Sequence, residues 1–310
     1  MSSEPSHSHS HRRAILSGAV LGIAGLAAGA AGAAVVIGDR RGPSVTVDGR
    51  ARFKDKVILI TGATSGIGAA AAKMFAAEGG KVAFCGRRMN RGAEVEKEIR
   101  DVGGTAKYIR ADVRVEQDVQ RFVDAAVSEF GGLDVCFNNA GITIERPLHE
   151  YSLAEWDDVI NTDLRGNFLA LKYEIPHLIK RGRGVVVVTA SSNAIATTAR
   201  RSAYSAAKRG LVGMVQAAAQ DYADHNIRIN TLIPGTTDTE LVRKAAGMID
   251  VPEPVWESAV AVWSKSNVAV AHRLATPQEI AAVALMMASD EYTFMNGAQI
   301  VVDGGKTAHA

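Results

Sequence analysis

Lys56–Thr61 (KVILIT) runs without a break into Thr61-Gly62-Ala63-Thr64-Ser65-Gly66-Ile67-Gly68, and helically spaced apolar residues follow at once. This is the most constraining feature of the chain. A short, continuously apolar run has the pattern of a strand buried on both faces, which only a parallel sheet covered by helices provides. In the turn, Gly62 allows a tight reversal, Gly66 lets backbone approach an anion, and Gly68 lets the helix pack close to the strand. The helix N-terminus then faces a pyrophosphate. The plainer alternative is an ordinary strand-to-helix turn.

The strand pattern recurs at 81–85, 106–111, 133–137, 184–190, 227–232 and 299–302, with helical periodicity between, as in Val119, Phe122, Val123, Ala126, Val127 and Phe130. Capping boxes mark two helix starts, Ser152 with Glu155 and Thr276 with Glu279, the latter followed by Pro277. Strands separated by helices of this length predict right-handed βαβ units. The fold class is therefore α/β, a single doubly wound Rossmann-type domain on a parallel seven-stranded sheet. No repeat and no linker follows residue 53, so residues 43–310 read as one catalytic domain with a lid over about 240–275.

Composition excludes several classes. Lys+Arg 35 against Asp+Glu 33 gives a net charge of +2, without the basic excess of a nucleic-acid binder. Two cysteines make no disulfide framework, and no Cys/His spacing suits a metal. The alternating His7, His9 and His11 read as a solvated polar lead.

Residues 1–42 are different material. Arg12-Arg13 precede 25 uncharged positions, 14–38, of which 15 are Ala or Gly. A basic start, an apolar middle and small-residue sites such as Ala28-Gly29-Ala30 read as a secretory signal. The run is also long enough to contact or span a bilayer as a retained anchor. Arg12-Arg13-Ala14-Ile15-Leu16 resembles a twin-arginine signal. The expectation is export, periplasmic or extracytoplasmic, of a folded protein; without a working signal the chain is membrane-anchored or cytoplasmic.

The glycine spacing, Gly-x-x-x-Gly-x-Gly, begins a series that resembles the short-chain dehydrogenase/reductase family. Asn138-Asn139-Ala140-Gly141 follows the fourth strand, Tyr204-Ser205-Ala206-Ala207-Lys208 supplies a Tyr-x-x-x-Lys pair, and Ser191 lies 13 residues before Tyr204. Pro234-Gly235 with Thr239 forms Pro-Gly-x-x-x-Thr, and Asp303-Gly304-Gly305 closes the sheet. The resemblance covers about residues 53–306. It implies that Gly62, Thr64, Ser65, Gly66, Ile67, Gly68, Asp112, Asn139, Pro234, Gly235, Thr237 and Thr239 line a nicotinamide dinucleotide. It also implies that Lys208 holds the nicotinamide ribose and that the protein is a homo-oligomer, dimer or tetramer.

Tyr204 and Lys208, four apart, share one face of a helix whose apolar side includes Leu211, Val212 and Val215. A phenol titrating near ~10 is a poor base at neutral pH; a neighbouring ammonium favours the phenolate, and a three-unit shift needs about 4 kcal/mol. Such a tyrosine can protonate a carbonyl oxygen or deprotonate an alcohol. Ser191 would donate a hydrogen bond to the same oxygen, with Ser192 in reserve. One departure stands out: the family's catalytic asparagine falls on Asp163, whose charge would sit near Lys208.

Cofactor choice turns on Gly86-Arg87-Arg88. An acid in place of Gly86 would bind a ribose 2′-hydroxyl, whereas Arg87 can clamp a 2′-phosphate. NADP(H) is therefore expected over NAD(H), although Thr64-Ser65 lack the basic residue that many NADP-using relatives carry inside the turn. Trp256, Val260 and Trp263 stripe a lid helix and suit either substrate contact or core. With few charges nearby, an apolar secondary alcohol or ketone is the expected substrate. The alternative from another class is a non-catalytic dinucleotide-binding regulatory protein.

Overall fold

In the computed structural model, residue 45 and residues 51–308 are described. The polar lead, the apolar run 14–38 and the twin-arginine resemblance lie outside them. The elements follow the alternation read from the sequence: β1 (Val57–Thr61), α1 (Gly66–Ala77), β2 (Lys81–Gly86), α2 (Met89–Asp101), β3 (Thr105–Arg110), α3 (Glu116–Phe130) and β4 (Val135–Asn138). Then come α4 (Leu153–Ile160), a π-helical turn (Asn161–Arg165), α5 (Gly166–Arg181), β5 (Gly184–Thr189), α6 (Ser202–Asp221) and β6 (Ile227–Pro234). The chain ends with α7 (Glu240–Ala245), α8 (Glu253–Asn267), α9 (Pro277–Ala288) and β7 (Gln299–Val302).

The seven strands form one all-parallel sheet in the order β3-β2-β1-β4-β5-β6-β7. β1, β4 and β5 are buried at every position, which is why their residues do not alternate between apolar and polar. Ile58, Ile60, Phe84, Phe137 and Val187 pack under α1, α2 and α9, while Leu59, Cys85, Cys136, Val186 and Ile229 pack under α3, α5 and α6. Cys85 and Cys136 are buried free thiols. Burial pushes Cys85 up to about 12 and Cys136 well above its ordinary value, so neither is a nucleophile at neutral pH.

Both capping boxes form. Ser152 Oγ accepts from Glu155 N–H at 3.1 Å, and Thr276 Oγ1 accepts from Glu279 N–H at 3.2 Å. The lid segment builds a small core of its own from Met248, Trp256, Ala259, Trp263 and Leu274. Trp256 Nε1 donates to Asp238 Oδ1 at 3.1 Å. Both tryptophans left open by the sequence are therefore packing residues of the lid.

Strand order reverses direction between β1 and β4, where Thr61 lies opposite Asn138. In an open α/β sheet, ligands bind beyond the carboxyl ends of the strands at that switch point.

Candidate active site

The glycine-rich turn lies at the end of β1, with Gly62 at φ +70 and Gly66 at φ +55. A Cβ on Gly62 would lie 2.6 Å from Ala140 Cα, and one on Gly68 would lie 2.5 Å from the Gly62 carbonyl oxygen. Both glycines are thus demanded by close backbone approach. Ser65 precedes α1 without a side-chain cap, leaving the first-turn N–H groups to an anion. Thr61 Oγ1 accepts from the backbone N–H of Asn139 at 3.0 Å and of Ala140 at 3.2 Å, tying the turn to the loop after β4. Asn139 Nδ2 donates to the Gly62 carbonyl at 3.4 Å. The loop after β6 closes the other side: Thr239 Cγ2 lies 3.1 Å from where a Gly66 Cβ would be, and Thr237 Oγ1 donates to the Gly235 carbonyl at 3.2 Å. Gly235 itself abuts Asp303, beyond β7, so Pro234 and Gly235 are held at the sheet edge of the cradle.

At the end of β2, Arg87 and Arg88 separate. Arg88 reaches across to the glycine turn, donating to Ser65 Oγ at 2.6 Å and to Thr64 Oγ1 at 3.2 Å, and it pairs with Glu240 at 2.6 Å. The basic group that the turn lacks in sequence is supplied from the neighbouring strand. Arg87 lines a pocket of about 660 Å³ together with Arg88, Arg91 and Arg110. Gly86 leaves no room for an acid: a Cβ there would lie 2.5 Å from Thr64 Cγ2. Asp112, two residues beyond β3, lies within electrostatic reach of Arg87. Burial would raise its carboxyl, but bonds from Arg114 and the charge of Arg87 hold it below the usual range.

The second half of the site is carried by α6. Lys208 is 3% exposed, and its Nζ donates to the Thr189 carbonyl at 2.9 Å and lies 3.3 Å from Asp163 Oδ2. The same ammonium is 5.6 Å from the centre of the Tyr204 ring. Asp163 sits in the π-helical turn, a feature frequent at functional sites because it redirects one turn of side chains. Its Oδ1 accepts from Ile142 N–H at 2.8 Å, and its backbone carbonyl accepts from Asn167 Nδ2 at 2.7 Å. Burial drives the Asp163 carboxyl above its ordinary range, against the opposing pull of Lys208 and the Ile142 N–H. Ser191, buried just beyond β5, accepts from Asn193 N–H at 3.2 Å and keeps its own proton for a ligand. Ser192 begins the following 3₁₀ turn, also buried.

The arrangement brings together two groups that the sequence placed 140 residues apart, a dinucleotide cradle at Gly62–Gly68 and a Tyr/Lys pair on α6, as the ends of β1, β4 and β5 converge. It adds Arg88, Arg110, Glu240, Thr189 and Asn167, which sequence reading did not assign to the site. Arg88 was visible only as the second of a pair, and Asn167 only as an amide four residues after Asp163. The cradle suits a dinucleotide: free helix N–H groups and arginines at one end, and a lysine beside a tyrosine at the other.

A family model described as short chain dehydrogenase matches residues 56–249. The chain belongs to that family. Levodione reductase of Leifsonia aquatica is 35% identical over 261 residues, covering 83% of this chain and 96% of the relative. Cyclohexanol dehydrogenase of Acinetobacter sp. (strain SE19) is 36% identical, covering 83% and 97%. Cis-4-hydroxycyclohexanecarboxylate dehydrogenase of Sinomonas cyclohexanicum is 39% identical, covering 83% and 98%. A crystal structure of levodione reductase superposes with a TM-score of 0.77 at 34% identity, covering 83% of this chain and all of that one. The protein is thus an NAD(P)-dependent oxidoreductase working between an alcohol and a ketone, and its cofactor is a nicotinamide dinucleotide.

Proposed function

We propose that this short-chain dehydrogenase interconverts a secondary alcohol and a ketone on a six-membered ring, prefers NADP(H), and uses Tyr204 as its general acid/base. The observation that carries the reading is the Lys208 ammonium, buried, held by the Thr189 carbonyl, and 5.6 Å from the Tyr204 ring. A fixed positive charge beside a phenol favours the phenolate, and so lowers the cost of moving a proton to or from the substrate oxygen. The bound nicotinamide supplies or accepts the hydride. Ser191 donates to the substrate oxygen and fixes its distance from Tyr204, while Asn193 fixes Ser191.

Asp163 makes the proton relay specific to this chain. Its carboxylate anchors Lys208, and its carbonyl, with one lone pair taken by Asn167, keeps the other for a water molecule. NADP(H) preference rests on the arginines around the pocket at Arg87 and on Gly86, whose surroundings leave no place for an acid. The cyclic substrate class rests on the three relatives named above. Assembly into a dimer or tetramer accords with the exposed Val301 on β7, the strand at one edge of the sheet, and the exposed Phe294 in the segment before it.

Consumption of NADPH and NADH with cyclohexanone tests the reading. Tyr204→Phe is expected to lose about 10²–10⁴ in turnover, the range of one acid/base group, while cofactor binding measured by fluorescence persists. A wild-type protein that binds cofactor and turns over no ketone would be a regulatory dinucleotide binder instead.

A further inference from the structure

Arg88 stands at the start of α2, and its guanidinium turns back onto the glycine-rich turn. Nε donates to Thr64 Oγ1 at 3.3 Å, and Nη2 donates to Thr64 Oγ1 at 3.2 Å and to Ser65 Oγ at 2.6 Å. Nη1 donates to Glu240 Oε2 at 2.6 Å. Glu240 opens α7, directly after Thr239, whose Cγ2 lies 3.1 Å from where a Cβ on Gly66 would be. The loop after β6 thus places the carboxylate and the end of β2 places the arginine. Their pair joins the start of the lid to the glycine turn, 152 residues apart in sequence.

A guanidinium grips a phosphate best through two parallel N–H groups, one from Nε and one from Nη2, or one from each Nη. In Arg88 the first pair is spent on Thr64, and the second is split between Ser65 and Glu240. No parallel pair is left for another anion. Yet Arg88 also lines the pocket of Arg87, Arg91 and Arg110, so the side chain borders two anion positions. Thr64 and Ser65 offer neutral hydroxyls, which a phosphate would displace as acceptors. Glu240 offers a charge. The bond from Arg88 holds its carboxyl below the usual range against the opposing effect of burial. With 43% of the arginine and 36% of the glutamate side chain exposed, the pair adds little to stability. What it fixes is the direction in which Arg88 points.

We propose that Glu240 is a positioning residue for cofactor choice: it commits Arg88 to the pyrophosphate turn and leaves Arg87 to read the 2′-phosphate. The inference rests on the NADP(H) reading and adds the residue that limits that preference. Without the carboxylate, Arg88 is free to swing into the pocket when a 2′-phosphate is there. When NADH binds, nothing draws it from Thr64 and Ser65.

Fluorescence titration of NADPH and NADH into wild type, Glu240→Ala, Arg88→Ala and the double variant tests this. Alanine suits the first turn of a helix, so Glu240→Ala should fold. It is expected to tighten NADPH by about three- to tenfold and to leave NADH within about twofold. The gain stays below that of a full charge-assisted bond because Arg88 gives up Thr64 and Ser65 to make it. In the Arg88→Ala background, Glu240→Ala should leave the NADPH-to-NADH ratio where it was. An unchanged ratio in the single variant Glu240→Ala overturns the proposal. So does an equal gain in the Arg88→Ala background, which would make Glu240 a bare charge repelling the phosphate. Arg87→Ala reads the underlying preference separately. If it left the ratio unchanged, the 2′-phosphate clamp at Arg87 would fail, while an Arg88-dependent gain would keep the role of Glu240.

Discussion

Replacing Glu174 by Gln should stabilise this protein, and increasingly so as the pH rises. Glu174 lies on the inner face of α5 with no solvent exposure. Its Oε2 accepts from Asn138 Nδ2 at 2.8 Å, while Oε1 is buried without a hydrogen-bond partner among the described residues. Burial pushes the carboxyl from 4.5 up to about 7, with Asn138 and Cys136 pulling the other way. The folded state therefore holds a proton that the unfolded chain releases at lower pH. Between 4.5 and about 7 the native state binds more protons, so stability falls as pH rises through that window and the loss is complete above it. A difference of two to three units at 1.36 kcal/mol each amounts to about 3 kcal/mol. Gln keeps an oxygen for Asn138 and carries no ionisable proton. Equilibrium urea unfolding of wild type and Glu174→Gln at pH 5, 6, 7 and 8 reads this directly. The variant should gain little at pH 5 and about 3 kcal/mol at pH 8. A stability difference that stays constant across that range would refute the argument, because a packing effect does not titrate.

Two further substitutions probe the site. Arg87→Ala should weaken NADPH by about 10- to 100-fold, the worth of one charge-assisted hydrogen bond, and NADH by less than about threefold. Arg88→Ala should weaken both cofactors, since its partners belong to the pyrophosphate turn; equal losses in Arg87→Ala, measured by fluorescence titration, would rule out the 2′-phosphate clamp. Asp163→Asn should retain activity and shift the alcohol-oxidation pH profile, because it removes a carboxyl group lying 3.3 Å from the Lys208 ammonium. An unmoved profile would mean that the carboxylate does not act on the pair.

What could be read along the chain was whatever repeats locally. The central parallel strands β1, β4 and β5 have nearly continuous apolar runs because both faces are covered, and the positions of all seven strands were legible to within two residues. The capping boxes at Ser152 and Thr276 were legible because their hydrogen bonds close over three residues. The glycine turn, Tyr204 and Lys208 were legible because each is a short pattern whose spacing follows helix or turn geometry. The substitution at position 163 was visible as a departure in such a pattern.

Other features depend on side chains that meet only after distant strands are laid side by side. Arg88 finds Ser65 from 23 residues away and Glu240 from 152, through the parallel pairing of β1 with β2 and the return of the loop after β6. The two lid tryptophans were undecided in sequence, because a helical stripe does not say which neighbour covers it; the lid's own core does. Local hydrogen bonding and burial periodicity are written in residue spacing, so the strands, caps and motifs followed from the sequence alone. Electrostatic environment depends on distances through space, so which arginine guards the turn and how Asp163 meets Lys208 were decided only by the tertiary fold.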